Sequence, residues 1–300
     1  LDAALATDRD NLQAHDLLVV ALRAAGRVEE ADDRLAAHLA AEPLDWWAVD
    51  LAGKDLQTDA QTCLDVAYEY LAAGLWEDAA RVAAVAAVRQ ATQPVPGAND
   101  AGPVAHYCRA RALAELGDAD GSREALRLAR TCEAANCLPG RLDDVDLLTW
   151  ALAGEPDDPR AHALLGHWLY FRQRPGEARE HWLAAVRLDP ADAVSWRNLA
   201  VAAYNVDRDA DAADEYYARA LAVRPLDPKL WYERDQLAKR RRVPPEQRLA
   251  ELARHPEIVG QRDDLGVEWA DLLTLTDRAG EALDALGGRQ FGPWEGGEGK

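Results

Sequence analysis

The chain has 300 residues, 49% of them hydrophobic, and a formal net charge of −19 from 53 acids against 34 bases. A field of that sign repels phosphate backbones, which argues against nucleic acid as the main ligand. The longest apolar run, Val82 to Val88, is far shorter than the ~18 residues of a membrane span, and four scattered cysteines make no disulfide framework, so a reduced, cytoplasmic protein is expected.

Leu1 to Asn11, LDAALATDRDN, reads as the tail of a helix. The chain also lacks methionine, so it is expected to open part-way through a structural unit, at a trimmed or processed end. Leu12 to Asp45 carries two apolar stripes around Leu18, Leu22, Gly26, Ala31, Leu35 and Pro43. Residues 44–58, LDWWAVDLAGKDLQT, interrupt the pattern as an insertion. A second pair of stripes begins at Cys63, with Ala67, Tyr70, Gly74, Trp76 and Ala79. The Pro/Gly-rich residues 93–103 are expected to break or bend the array. A third pair begins at His106, with Ala110, Leu113, Gly117 and Ala129, and Asp143 to Asp158 reads as a lone second helix.

The two clearest units follow. Asp158 to Pro190 places small and large residues at Leu165, Gly166, Ala178, Trp182 and Ala185, and Ala191 to Pro225 does so at Trp196, Leu199, Ala200, Ala213, Tyr217 and Ala220. Their closing prolines are 35 positions apart, and the second unit has one extra residue in its turn. Asp227 to His255 is a degraded unit around Trp231 and Leu237, broken by RRRVPPEQ, where Pro244 or Pro245 can start a helix. Asp263 to Leu286 is the last, around Trp269, Leu273 and Ala282, and Gly287 and Gly288 end it.

These residues resemble the tetratricopeptide repeat, a helix–turn–helix unit of about 34 residues. Small residues let the paired backbones approach, a large residue fills the gap to the next unit, and proline closes the second helix. The resemblance implies an all-α fold: a right-handed superhelical array of about seven TPR-like units with a short non-helical C-terminal tail. The expected divisions are 1–92 with the insertion at 44–58, then 104–286, and a Gly/Trp-rich tail at 287–300. The Trp residues at 168, 182, 196, 231 and 269 belong to the core by register.

In such arrays the first helices line a concave groove. The register places Tyr107, Arg111, Arg160, His167, Tyr170, Arg197, Asn205, Lys229, Tyr232, Gln236, Lys239 and Arg240 there. These are basic, aromatic or amide side chains in an acidic protein, so the expectation is an electropositive trough for an acidic extended segment or anionic ligand. Arg197, Asn198 and Asn205 resemble part of a Lys/Asn carboxylate clamp, although Val201 stands where an Asn belongs. In the tail, Phe291 and Trp294 are expected to pack on the last helices or in the groove, with Glu295 near its bases.

A narrower resemblance rests on NCLPGRLDDVDLLTWAL, VSWRNLAVAAYNVDRD, HPEIVGQRDDLGVEWADLLTL and RQFGPWEGGEGK, in that order. They look like the C-terminal helical region of a family of large bacterial proteins in which a mutarotase-like β domain of unknown function precedes the repeats. That resemblance implies docking on a domain of the parent chain. It also leaves open a role as the helical accessory part of a carbohydrate-active enzyme. The residues themselves contain no HExxH motif, nucleophile elbow or dinucleotide fingerprint. Cys132 and Cys137 lack a second metal-binding pair. The reading is therefore a non-enzymatic protein–protein or interdomain scaffold, with no cofactor, no metal, no nucleic acid and no membrane partner.

Overall fold

The computed structural model describes residues 1–300 apart from Pro96, Glu133, Ala135 and 288–300. The expected tail contacts of Phe291, Trp294 and Glu295 lie outside the described residues. Every regular element described is helical. In chain order these are α1 (Asp2–Thr7), α2 (Leu12–Ala24), α3 (Val28–Ala41), α4 (Trp46–Leu51), α5 (Ala60–Ala72) and α6 (Trp76–Thr92). They are followed by α7 (Gly102–Glu115), α8 (Ala119–Thr131), α9 (Leu142–Gly154), α10 (Pro159–Phe171) and α11 (Pro175–Leu188). After α12 (Ala193–Ala202) come a π-helical turn (Ala203–Asp207), α13 (Ala210–Val223) and α14 (Pro228–Arg240). The described chain closes with α15 (Pro245–Leu252), α16 (Pro256–Val259), α17 (Asp263–Leu275) and α18 (Ala279–Gly287).

Local chemistry sets where the helices begin and turn. An Asp or Asn side chain caps most first helices: Asn11 accepts from the Ala14 N–H at 2.9 Å, Asp59 from Thr62 at 2.8 Å and Asp158 from Ala161 at 3.0 Å. Asp192, Asp209 and Asp227 do the same for α12, α13 and α14. Proline follows two of these caps, at Pro159 and Pro228, where the missing N–H costs nothing. The turn inside each hairpin needs one left-handed residue. Gly26, Gly74 and Gly117 supply it, and the following N–H then bonds back five residues, as Arg27 does to the Leu22 carbonyl at 2.9 Å. Later turns use Gln173, Arg208, Arg242 and Asp277 at φ 60° instead.

The helices pack serially as TPR-like hairpins: α2 with α3, α5 with α6, α7 with α8, α12 with α13 and α17 with α18. Ala31, Ala67, Ala79, Ala178, Ala200, Ala213 and Ala220 are fully buried at the crossings, so neighbouring backbones nest on methyl groups. Trp168, Trp182 and Trp231 are buried core, whereas Trp196 and Trp269 are half-buried against it.

The chain forms two compact units, Leu1–Arg172 and another beginning at Gln173. On either side of the Pro/Gly-rich residues 93–103, α6 and α7 pack closely against each other. Asn99 ties this loop to Leu138, accepting from the backbone N–H at 2.7 Å and donating to the carbonyl at 3.0 Å. The insertion at 44–58 folds as α4 and a following strap. The Tyr70 hydroxyl donates to Asp50 at 2.6 Å, and Arg89 donates to the Leu56 carbonyl.

Candidate functional site

In the second unit, α12, its π-helical turn and α14 build a polar and aromatic recess of about 270 Å³. The extra residue noted in this repeat is absorbed as the π-helical turn, which closes with the Asp209 N–H bonding the Ala203 carbonyl at 3.0 Å. That turn brings Tyr204 and Asn205 into the recess wall. Tyr217 of α13 and Tyr232, Glu233, Gln236 and Arg240 of α14 supply the other polar groups, with Val201 and Leu237 completing the lining. Asn205 is exposed and Tyr232 half-buried.

The charges at this site are mostly matched. Arg197 grips Glu233 with two hydrogen bonds, Nε to Oε2 at 2.7 Å and Nη2 to Oε1 at 2.5 Å, and also donates to Asn198 at 3.2 Å. Burial opposes the Arg197 charge, yet these bonds to Glu233 hold its pKa above the ordinary arginine value. The Tyr217 hydroxyl donates to Glu233 at 3.4 Å, and burial, then the Glu233 charge, keep its proton on. Gln236 and Lys239 both donate to Glu268 of α17, at 2.9 and 2.8 Å. Arg240 differs: among the described residues no carboxylate lies within ion-pair distance, and its guanidinium sits 5.4 Å over the Tyr204 ring. Lys229 is exposed in the first turn of α14. The expected surplus of positive charge is thus reduced at Arg197 and Lys239, because Glu233 and Glu268 face them.

Behind this surface Arg248 of α15 is buried between two acids. It donates to both oxygens of Asp235, at 3.0 and 2.5 Å, and to Glu268 at 2.5 Å. The network fixes α14, α15 and α17 against one another.

In the first unit the expected groove residues have separate surroundings. Tyr107 is fully buried, and its hydroxyl donates to Asp158 at 3.0 Å, so it braces the α10 cap rather than lining an open face. Arg130 donates to the same carboxylate at 3.0 Å. Arg111 pairs with Glu115 at 2.7 Å and lies over Trp150. Arg160 donates to the Arg130 carbonyl at 3.5 Å, and His167 and Tyr170 are half-buried. Helical register had placed Tyr107 on the concave groove; in the structure it is fully buried against Asp158.

A polar cluster outside the sequence reading also lies here. Asp16 of α2, His38 in the last turn of α3 and Asp45, the cap of α4, place ligand atoms within 4.8 Å of one another. No motif spacing marks them. Asp45 belongs to the insertion, and only the packing of α2, α3 and α4 joins the three.

No family model matches the chain. Among solved structures it is similar to that of MamA, at 15% identity and TM-score 0.41, covering 57% of this chain and 91% of that one. It is similar to Pseudomonas aeruginosa PilF at 18% identity and TM-score 0.39, covering 77% of this chain and 93% of that chain. It is also similar to PilW, a widely conserved type IV pilus biogenesis factor, at 19% identity and TM-score 0.40, covering 77% and 94%. No helix among the described residues is long and apolar enough to cross a membrane.

Proposed function

We propose that the chain is a protein-interaction scaffold that holds an extended segment of a partner, or of another domain of its parent chain, on the α12–α14 surface. The supporting observation is the recess where Tyr204, Asn205, Tyr232 and Arg240 converge. Aromatic faces give contact area at low conformational cost. Asn205 and Gln236 carry amides suited to a peptide backbone. Arg240, held over Tyr204 and without an acidic partner among the described residues, selects a carboxylate side chain or terminus. Arg197 is engaged with Glu233 and with Asn198, so it positions α14 rather than clamping the ligand.

The test is selection of random twelve-residue peptides on the wild-type chain, followed by calorimetry on the Tyr232→Ala and Arg240→Glu variants. The expected result is an acidic consensus whose affinity falls at least tenfold in Arg240→Glu. Peptides that bind wild type and both variants equally would remove this surface from consideration.

A further inference from the structure

We propose that Asp16, His38 and Asp45 form a binding site for one divalent first-row transition-metal ion, with zinc the best-fitting probe. Two carboxylates and an imidazole are gathered from three helices into the interior of the first unit. Asp16 is 1% exposed, and the His38 and Asp45 side chains are 5% and 7% exposed. Among the described residues no arginine or lysine pairs with either carboxylate. Asp16 Oδ1 is buried without a hydrogen-bond partner. A buried carboxylate oxygen left in that condition is costly, so an ion is a natural complement.

The donor set narrows the ligand. An imidazole nitrogen with carboxylate oxygens suits zinc and its neighbours better than calcium or magnesium, which prefer oxygen alone. At metal–ligand distances of about 2.1 Å, tetrahedral donors stand roughly 3.4 Å apart. The three donor atoms, within 4.8 Å of one another, need only a small contraction and a slight opening of the 2.8 Å contact between His38 Nε2 and Asp45 Oδ2.

The surroundings hold the donors in place. Asp45 Oδ1 accepts from the Trp47 and Ala48 N–H groups at 3.2 and 3.3 Å, leaving Oδ2 directed at the cluster. The His38 ring is stacked on His15, with centroids 4.6 Å apart. Two carboxylates against one dication balance in charge once the imidazole is neutral. The competing arrangement is a proton shared between the two acids.

The experiment uses the full chain without an affinity tag, stripped with chelator and titrated with zinc chloride by calorimetry, with cobalt(II) chloride as a spectroscopic probe. Asp16→Asn and Asp45→Asn remove one charge each, and Asn keeps the α4 cap. The expected result is one zinc per wild-type chain, visible cobalt d–d bands, and at least tenfold weaker binding in both variants. Saturating zinc should also raise the wild-type melting temperature by about 5–10 °C. Absence of saturable binding, or equal binding by wild type and Asp16→Asn, would overturn the site. So would an Asp16→Asn chain that melts at or above wild type while zinc shifts neither, which is the signature of a shared proton.

Discussion

Replacing Arg248 with methionine should destabilise the second unit severely. Arg248 is 4% exposed on its side chain and faces Asp235 and Glu268, whose side chains are 5% and 9% exposed. Without the guanidinium, Glu268 keeps Lys239 at 2.8 Å and Gln236 at 2.9 Å, but Asp235 loses both its described side-chain hydrogen bonds. Burial already raises the Asp235 pKa despite Arg248, so the orphaned acid must protonate or pull the helices apart. Breaking a buried pair in this way costs about 3–5 kcal/mol. At about 3–4 °C per kcal/mol for a unit of this size, the melting transition should fall by roughly 10–20 °C. Thermal unfolding followed by far-ultraviolet circular dichroism measures it. The double variant Arg248→Met/Asp235→Leu should recover most of the loss, because no charge is then stranded. A single-variant shift below about 3 °C, or a double variant worse than the single, would refute the reasoning.

Ala213→Leu, at a fully buried crossing of α12 and α13, should cost about 1–3 kcal/mol or more in urea unfolding, because the nested backbones leave no room. Tyr107→Phe removes a hydroxyl that supports Asp158 and should cost about 1–2 kcal/mol without altering peptide binding in the second unit. Arg242→Gly relieves a left-handed residue at φ 60° and should stabilise by about 0.5–1 kcal/mol, read as a raised melting temperature. Burial, then Arg109, hold the His106 pKa below its ordinary 6.5. The unfolded chain therefore takes that proton first, so stability is full above pH 6.5 and drains as pH falls; melts at pH 7 and pH 5 should differ less in His106→Gln.

The sequence by itself determined the paired helices of the repeats, their order and their hairpin turns. Those features depend on short spans: Asp158 and Asp227 before their prolines, Gly26 and Gly74 at left-handed turns, and alanines recurring at the crossings. Each depends on neighbours a few residues away, which a repeat pattern displays directly. The recess on α12 and α14 was partly legible through Asn205, Tyr232, Gln236 and Arg240, all assigned by register. Tyr204 was not, because it enters through the π-helical turn that absorbs one extra residue.

Only the tertiary structure decided which charges remain free. Arg197 meets Glu233 36 positions away and Lys239 meets Glu268 29 positions away, so counting bases on one helix overstated the field. Only it placed Tyr107 inside the core, against an aspartate 51 positions distant. Only it joined Asp16, His38 and Asp45, since burial and charge pairing depend on atoms brought together across separate helices, and periodicity along one helix carries no record of them.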